Sequence, residues 1–167
     1  MEQLLTIKLI CLVFSSGPPD FWLSDYRQKL ICQQASTVIT EATKNGIEPS
    51  LMLSLITIES NWKRTAVSHA GACGLTQVIP KYTGRIVRKY TCDQLKKPKT
   101  AIAAGSKILR WWIDYHNGDI TRGLCSCNAG FRCGKERKTP SKGGMRYAKK
   151  VLNMQKKIKN FAHRLSQ

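Results

Sequence analysis

Apolar side chains recur along residues 25–45 at Ile31, Ala35, Val38, Ile39 and Ala42, the spacing of a helix with one buried face, and Gly46 follows as a stop. Pro49 and Ser50 are start signals for a second helix, whose apolar positions Met52, Leu55, Ile56 and Ile58 run into Glu59. The stretch "KRTAVSHAGACGLTQVIP", residues 63–80, is rich in glycine and small polar residues and reads as a structured loop, with Pro80 opening another element. Residues 100–116 form a third helix with Ile102, Leu109, Trp112 and Ile113 as its buried positions. "CSCNAGFRCGKERKTPSKGG", residues 125–144, reads as a basic loop. The last helix carries the clearest stripe: Tyr147, Val151, Met154, Ile158, Phe161 and Leu165 are spaced 4, 3, 4, 3, 4. No segment alternates apolar and polar residues at length, and no internal repeat is present. The pattern predicts a mostly α, single helical domain.

Composition narrows this picture. A chain of 167 residues, 42% apolar, holds one domain with a real core. The charge is extreme: 28 Lys and Arg against 10 Asp and Glu give +18. Such a balance selects polyanionic partners, namely nucleic acid, anionic lipid or the acidic polymers of a bacterial envelope. The basic run from Arg132 to Lys150 has no stacking aromatics and no groove-binding motif. An anionic envelope surface is the simpler partner, and nucleic acid is not expected.

The N-terminus has an apolar stretch, Leu9 to Phe14, followed by Ser15, Ser16 and Gly17. Residues 1–17 therefore read either as a secretory signal peptide or as an apolar arm packed on a domain of residues 20–167. The stretch is too short to span a bilayer as a helix. Cleavage near Ser16 or Gly17 would remove Cys11 and leave six of the seven cysteines, an even number that suits disulfides in an oxidising compartment. A zinc site from Cys125, Cys127, Cys133 and His116 is disfavoured, because C-x-C-x5-C lacks the C-x2-C pairs of common structural sites. No metal and no cofactor is expected.

Glu59 is the chemical oddity. It lies seven residues after Met52 and four after Leu55, on or beside the buried stripe of its helix. An apolar setting raises a carboxyl pKa and makes it a proton donor near neutral pH. The bland alternative is a helix-end carboxylate satisfied by nearby N–H groups, Lys63 or Arg64.

The residues after Glu59 decide between these. Glu59-Ser60, then Ser68 nine residues on, then Gly71, Ala72, Gly74, Leu75, Gln77 and Pro80, together with Asn128-Ala129-Gly130 and Tyr147, resemble the soluble lytic transglycosylase family over roughly residues 35–155. The resemblance implies a lysozyme-like helical fold and cleavage of peptidoglycan glycan strands without water. It assigns Glu59 two jobs: acid toward the bond between N-acetylmuramic acid and N-acetylglucosamine, then base toward the sugar's C6 hydroxyl, closing a 1,6-anhydro ring. Ser68, Gln77, Asn128 and Tyr147 become substrate-binding residues, with Tyr147 either holding the carboxylate or filling the core. Trp62 is implied as packing, and Trp111, Trp112 and Tyr115 as core or cleft wall. Two positions depart from the family, Thr76 for a usual Met and Cys127 for a usual Tyr. The extra cysteines imply an added disulfide layer around the active-site loops.

Composition is consistent with a single acid. Between Ser60 and Cys92 there is no Asp or Glu, so a paired-carboxylate hydrolase would need Asp93, Asp114, Asp119, Glu136 or an N-terminal residue as its second group. The implied protein is a monomer acting in the periplasm, in secreted form or on a phage virion. Its competitors are a hydrolase in the manner of goose-type lysozymes and a non-catalytic basic module for glycan or nucleic acid.

Overall fold

Helix α3, Pro49–Ser60, lies at the centre of the fold, and every side chain from Ser50 to Thr57 is buried. Burial on all sides requires that its polar residues be satisfied within the helix. Ser54 Oγ donates to Ser50 O at 2.6 Å and Thr57 Oγ1 to Leu53 O at 2.8 Å, so neither hydroxyl is stranded in the core. Pro49 starts the helix where no N–H is needed. Asn61, left-handed at φ 47°, ends it.

The computed structural model describes residues 6–17 and 23–167. Around α3 are packed α1 (Ile7–Ser15), α2 (Asp25–Lys44), α5 (Pro98–Tyr115), α6 (Ile120–Ala129) and α7 (Lys142–Leu165), with the short α4 (Cys92–Leu95) leading into α5. Helices α2 and α7 flank α3, and α6 joins α5 to α7. One apolar cluster runs through all six long helices, from Ile10 and Ile31 through Met52 and Ile56 to Leu109, Leu124 and Val151. Among the described residues the only β contacts are isolated bridges, Val67 with Cys73 and Cys73 with Val78. The chain is thus a mostly α, single-cored domain.

The strong periodic segments stand close to where the pattern puts them. The expected Tyr147, Val151 and Ile158 face of α7 is buried, while Leu165 at its end is 38% exposed. The segment 125–144 is different. Residues 125–129 complete α6, Gly130–Cys133 form a 3₁₀ turn, and α7 begins at Lys142, which leaves only 134–141 as loop. The helix forms there because it is packed closely on both sides. A Cβ on Gly123 would lie 2.7 Å from Ile113 Cγ1, so the glycine that weakens local propensity is what lets α6 seat on α5.

Helix α1 is also packed, with Leu9, Ile10, Val13 and Phe14 buried against α2 and α7. The Phe14 ring meets Trp62 edge-on at 6.2 Å. Residues 1–5 and 18–22, including the boundary expected at residue 20, lie outside the described residues. Cysteine pairing does not follow from removing Cys11. The disulfides are Cys11–Cys32, Cys73–Cys92 and Cys125–Cys133, and Cys127 is the free thiol. Cys125 and Cys133 are bonded to each other, which takes two thiolates from the set weighed for zinc.

Candidate active site

Glu59 occupies the last turn of α3, where the helix emerges from the core. Burial raises its carboxyl from 4.5 to about 7, while a hydrogen bond from Tyr147 pulls the value back. The carbonyl end of α3 acts in the same direction as burial, since it disfavours negative charge. Tyr147 reaches across from α7 and donates its hydroxyl to Glu59 Oε1 at 2.5 Å. The sequence left Tyr147 between two roles, and the side chain has both: it is buried in the apolar stripe and touches the carboxyl. Burial, then the Glu59 charge, holds the phenol well above its ordinary range.

The residues 63–80 fold over the end of α3 as a loop closed by its own hydrogen bonds. Ser68 N donates to Ala72 O, Gly74 N to Ala66 O and Cys73 N to Val78 O, each at 2.9 Å. Ser60 ties this loop to the helix, its hydroxyl donating to Leu75 O at 2.9 Å. Gly74 is required twice over: φ is +75°, and a Cβ there would stand 1.9 Å from Leu95 O. The Cys73–Cys92 disulfide fastens the same loop to α4.

Ser68 and Gln77 face this loop rather than the carboxyl. Ser68 Oγ accepts from Ala72 N at 3.1 Å, and Gln77 Nε2 donates to Gly74 O at 2.9 Å and Ala66 O at 3.3 Å. Gln77 itself sits at φ 48°. Both are half-buried at the loop's surface, and neither has a hydrogen bond to Glu59. Asn128 is exposed on α6. Its neighbour Cys127 lies where the charge of Glu59, after burial, pushes the thiol up. Of the four expected partners, then, Tyr147 is in direct contact with the acid, while Ser68, Gln77 and Asn128 lie on the loop and helix beside it. The sequence marked Ser60 as a motif residue and Cys127 as a departure from the family, without a role for either; Ser60 pins the loop to α3, and the Cys127 thiol lies within the field of the Glu59 charge.

The departure at Thr76 has a packing explanation. Thr76 is buried, its hydroxyl donates to Ala101 O at 2.8 Å, and its Cβ stands 2.6 Å from where a Cβ on Gly105 would be. Helix α5 thus approaches too closely for a longer side chain at 76. Trp62 is fully buried and donates its indole N–H to Thr57 Oγ1 at 3.0 Å, a packing role. Trp112 is buried, but Trp111 is 37% exposed and stacks on Tyr115 at 5.7 Å, with the 59% exposed Phe131 edge-on to Tyr115.

Among the described residues no second acid contributes to the shift of Glu59, whose causes are burial and Tyr147. Asp93 pairs with Lys96, Asp114 with Arg110 and Glu48 with Lys159, while Asp119 caps α6.

A carboxyl held to about 7 at the end of a buried helix, with a glycine-rich loop pinned to that end in a mostly helical domain, is the arrangement of the lysozyme-like class. The chain belongs to the family described as the transglycosylase SLT domain, whose model matches residues 36–149. It is similar to membrane-bound lytic murein transglycosylase C of Haemophilus ducreyi, 40% identical over 75 residues, which cover 41% of this chain and 20% of that protein. The same protein of Actinobacillus pleuropneumoniae is 50% identical over 44 residues, covering 26% and 12%. Endo-type membrane-bound lytic murein transglycosylase A of Klebsiella pneumoniae is 34% identical over 71 residues, covering 38% and 35%. Among solved structures, an inactive mutant of the lytic transglycosylase Slt from Pseudomonas aeruginosa superposes with a TM-score of 0.67 at 23% identity, over 78% of this chain and 24% of that one. The matched segment spans about an eighth to a third of these relatives' length.

Proposed function

We propose that the chain is a peptidoglycan lytic transglycosylase with Glu59 as its sole acid–base group. The protonated carboxyl donates to the oxygen linking N-acetylmuramic acid to N-acetylglucosamine, and the C1–O bond breaks as the leaving sugar gains a hydroxyl. The resulting carboxylate takes the proton of the muramic acid C6 hydroxyl while that oxygen bonds to C1. A 1,6-anhydro ring closes, no water is consumed, and Glu59 regains its proton. The Tyr147 hydroxyl stabilises the carboxylate between the two steps, and Asn128, Ser68 and Gln77 orient the acetamido groups from the cleft rim. The observation that carries this reading is the raised Glu59 carboxyl in contact with the Tyr147 hydroxyl, with no second acid beside it among the described residues, since hydrolysis by a glycosidase pair needs two.

The wall lies outside the cytoplasm, and the disulfides Cys73–Cys92 and Cys125–Cys133, which do not depend on residues 1–17, suit that compartment; action in the periplasm, after secretion or on a virion follows. No helix of the described residues is long and apolar enough to cross a membrane. Residues 1–17 are read either as an export segment or as an apolar arm packed on the catalytic domain of residues 20–167, the arm reading being supported by the burial of Leu9, Ile10, Val13 and Phe14. The mass of the exported protein tests this, because cleavage near Ser16 removes α1 and leaves Cys32 without its partner.

Digesting purified sacculi and weighing the fragments tests the reaction. Anhydro ends are expected, and Glu59→Gln is expected to release nothing while keeping its helical spectrum. Reducing ends would turn the assignment to a hydrolase of the goose-type lysozyme kind. No release by the wild type would leave a non-catalytic basic module.

A further inference from the structure

The reaction proposed above leaves the outer side of α7 without a use. That helix carries eight Lys and Arg and no Asp or Glu in 24 residues. Its apolar stripe, Tyr147, Val151 and Ile158, faces the core, so the cations are displayed outward. Where α7 passes the start of α6 it forms a groove of about 630 Å³, with Met145 and Leu152 as floor, Thr121 opposite, and Lys142, Arg146 and Lys149 along the rim. The three cations are exposed, at successive turns, and none has an ion pair among the described residues. They span about 10 Å along the helix axis. The groove is held firmly: a Cβ on Gly144 would lie 2.7 Å from Cys125 Sγ and 2.8 Å from Cys133 Sγ, so α7 rests directly on that disulfide.

We infer that this groove is a docking site, separate from the cleft, for the carboxylate-bearing peptide stems of the wall polymer. Charge complementarity selects the occupant. An extended acidic peptide presents carboxylates every few ångströms, matching cations one turn apart, and its alanyl methyls suit the Met145 and Leu152 floor. A bilayer is a poor match, because no aromatic residue lines the groove to insert and its two large apolar side chains, Met145 and Leu152, are partly buried. A nucleic acid strand would find no ring to stack on. The identity of the polymer rests on the proposed reaction, but docking is measured without catalysis.

The test uses the full chain in the Glu59→Gln background, sedimented with purified sacculi and with glycan strands stripped of peptide by an amidase. Binding to intact sacculi is expected to weaken about tenfold in the triple variant Lys142→Ala, Arg146→Ala, Lys149→Ala, and to lose most of its salt dependence. Stripped strands are expected to bind both proteins alike. In the active background, the triple variant is expected to need more sacculi for half-maximal rate but to cut stripped strands unchanged. Replacing the two lysines by arginine is expected to keep binding. Equal binding of intact sacculi by the parent and the triple variant would overturn the inference. So would tighter binding of a short DNA duplex than of sacculi at the same salt. Should wild-type protein cut neither substrate, the proposed reaction fails while the sedimentation result still stands.

Discussion

Replacing Glu59 by glutamine is expected to stabilise the protein as it abolishes its chemistry, and the gain is expected to depend on pH. The folded chain holds the Glu59 proton to about 7, against an ordinary value of 4.5. Between those values the folded state binds more protons than the unfolded one, so stability falls as pH rises. At 1.36 kcal/mol per pH unit, the carboxylate costs about 3 kcal/mol once pH exceeds both values. This is an upper figure, because the carboxyl is only half-buried and retains some water. Glutamine has nearly the same shape, keeps an acceptor for the Tyr147 hydroxyl and does not ionise.

The assay is thermal unfolding of both proteins from pH 4.5 to 8.5 at fixed salt. Other titrations, including that of His116, cancel in the difference between them. At about 2–4 °C per kcal/mol for a domain of this size, the variant is expected to gain about 6–12 °C over the wild type as pH crosses from 4.5 to 8. A melting difference that stays constant across that range would refute the reasoning: Glu59 would then ionise in the folded protein as it does in the unfolded one, and could not serve as a proton donor near neutrality.

Tyr147→Phe removes the hydrogen bond that lowers the Glu59 value, so the alkaline fall in kcat/KM, expected near pH 7 in the wild type, is expected to move to higher pH as the rate drops roughly ten- to a hundredfold. Rate measurements from pH 5 to 9 check both. Gly74→Ala forces a Cβ against Leu95 O at φ +75°, and chemical denaturation is expected to show a loss of about 3 kcal/mol or more. Thr76→Met overpacks the contact with Gly105 and removes the hydroxyl's hydrogen bond to Ala101 O, a loss of about 1–3 kcal/mol in the same assay.

The long periodic helices were legible because their apolar spacing is the physical cause of their packing. Helix α5 buries all four side chains that the spacing selects, and α2, α3 and α7 bury most of theirs, with Ile39, Ile58, Met154 and Phe161 half-buried and Leu165 exposed at the end of its helix. Helix α6 was not legible. Its Gly123 and Cys-Ser-Cys run have the composition of a loop, and its helicity is supported by packing against α5 and α7, which local composition does not express. Pairing of the cysteines was hidden for the same reason: separations of 21, 19 and 8 residues follow from helix packing, which parity alone does not express.

The site shows the same division at finer scale. The motif residues Glu59, Ser60, Ser68, Gly71, Gly74 and Gln77 were visible as a set, but the set mixes chemistry with scaffolding. Ser60, Gly74 and the Gln77 amide build the loop and hold it on α3; Tyr147, from a helix 88 residues away, is the one that touches the acid. The apolar residues before Glu59 therefore matter as much as the motif after it. They drive α3 into the core on all sides, and its last turn holds a half-buried carboxyl with less of the water that would keep it ionised. A more stable helix end, with glutamine at 59, would pack as well, keep the acceptor for Tyr147 and supply no acid. The cost in stability and the capacity to hold a proton near neutrality are one property of one position.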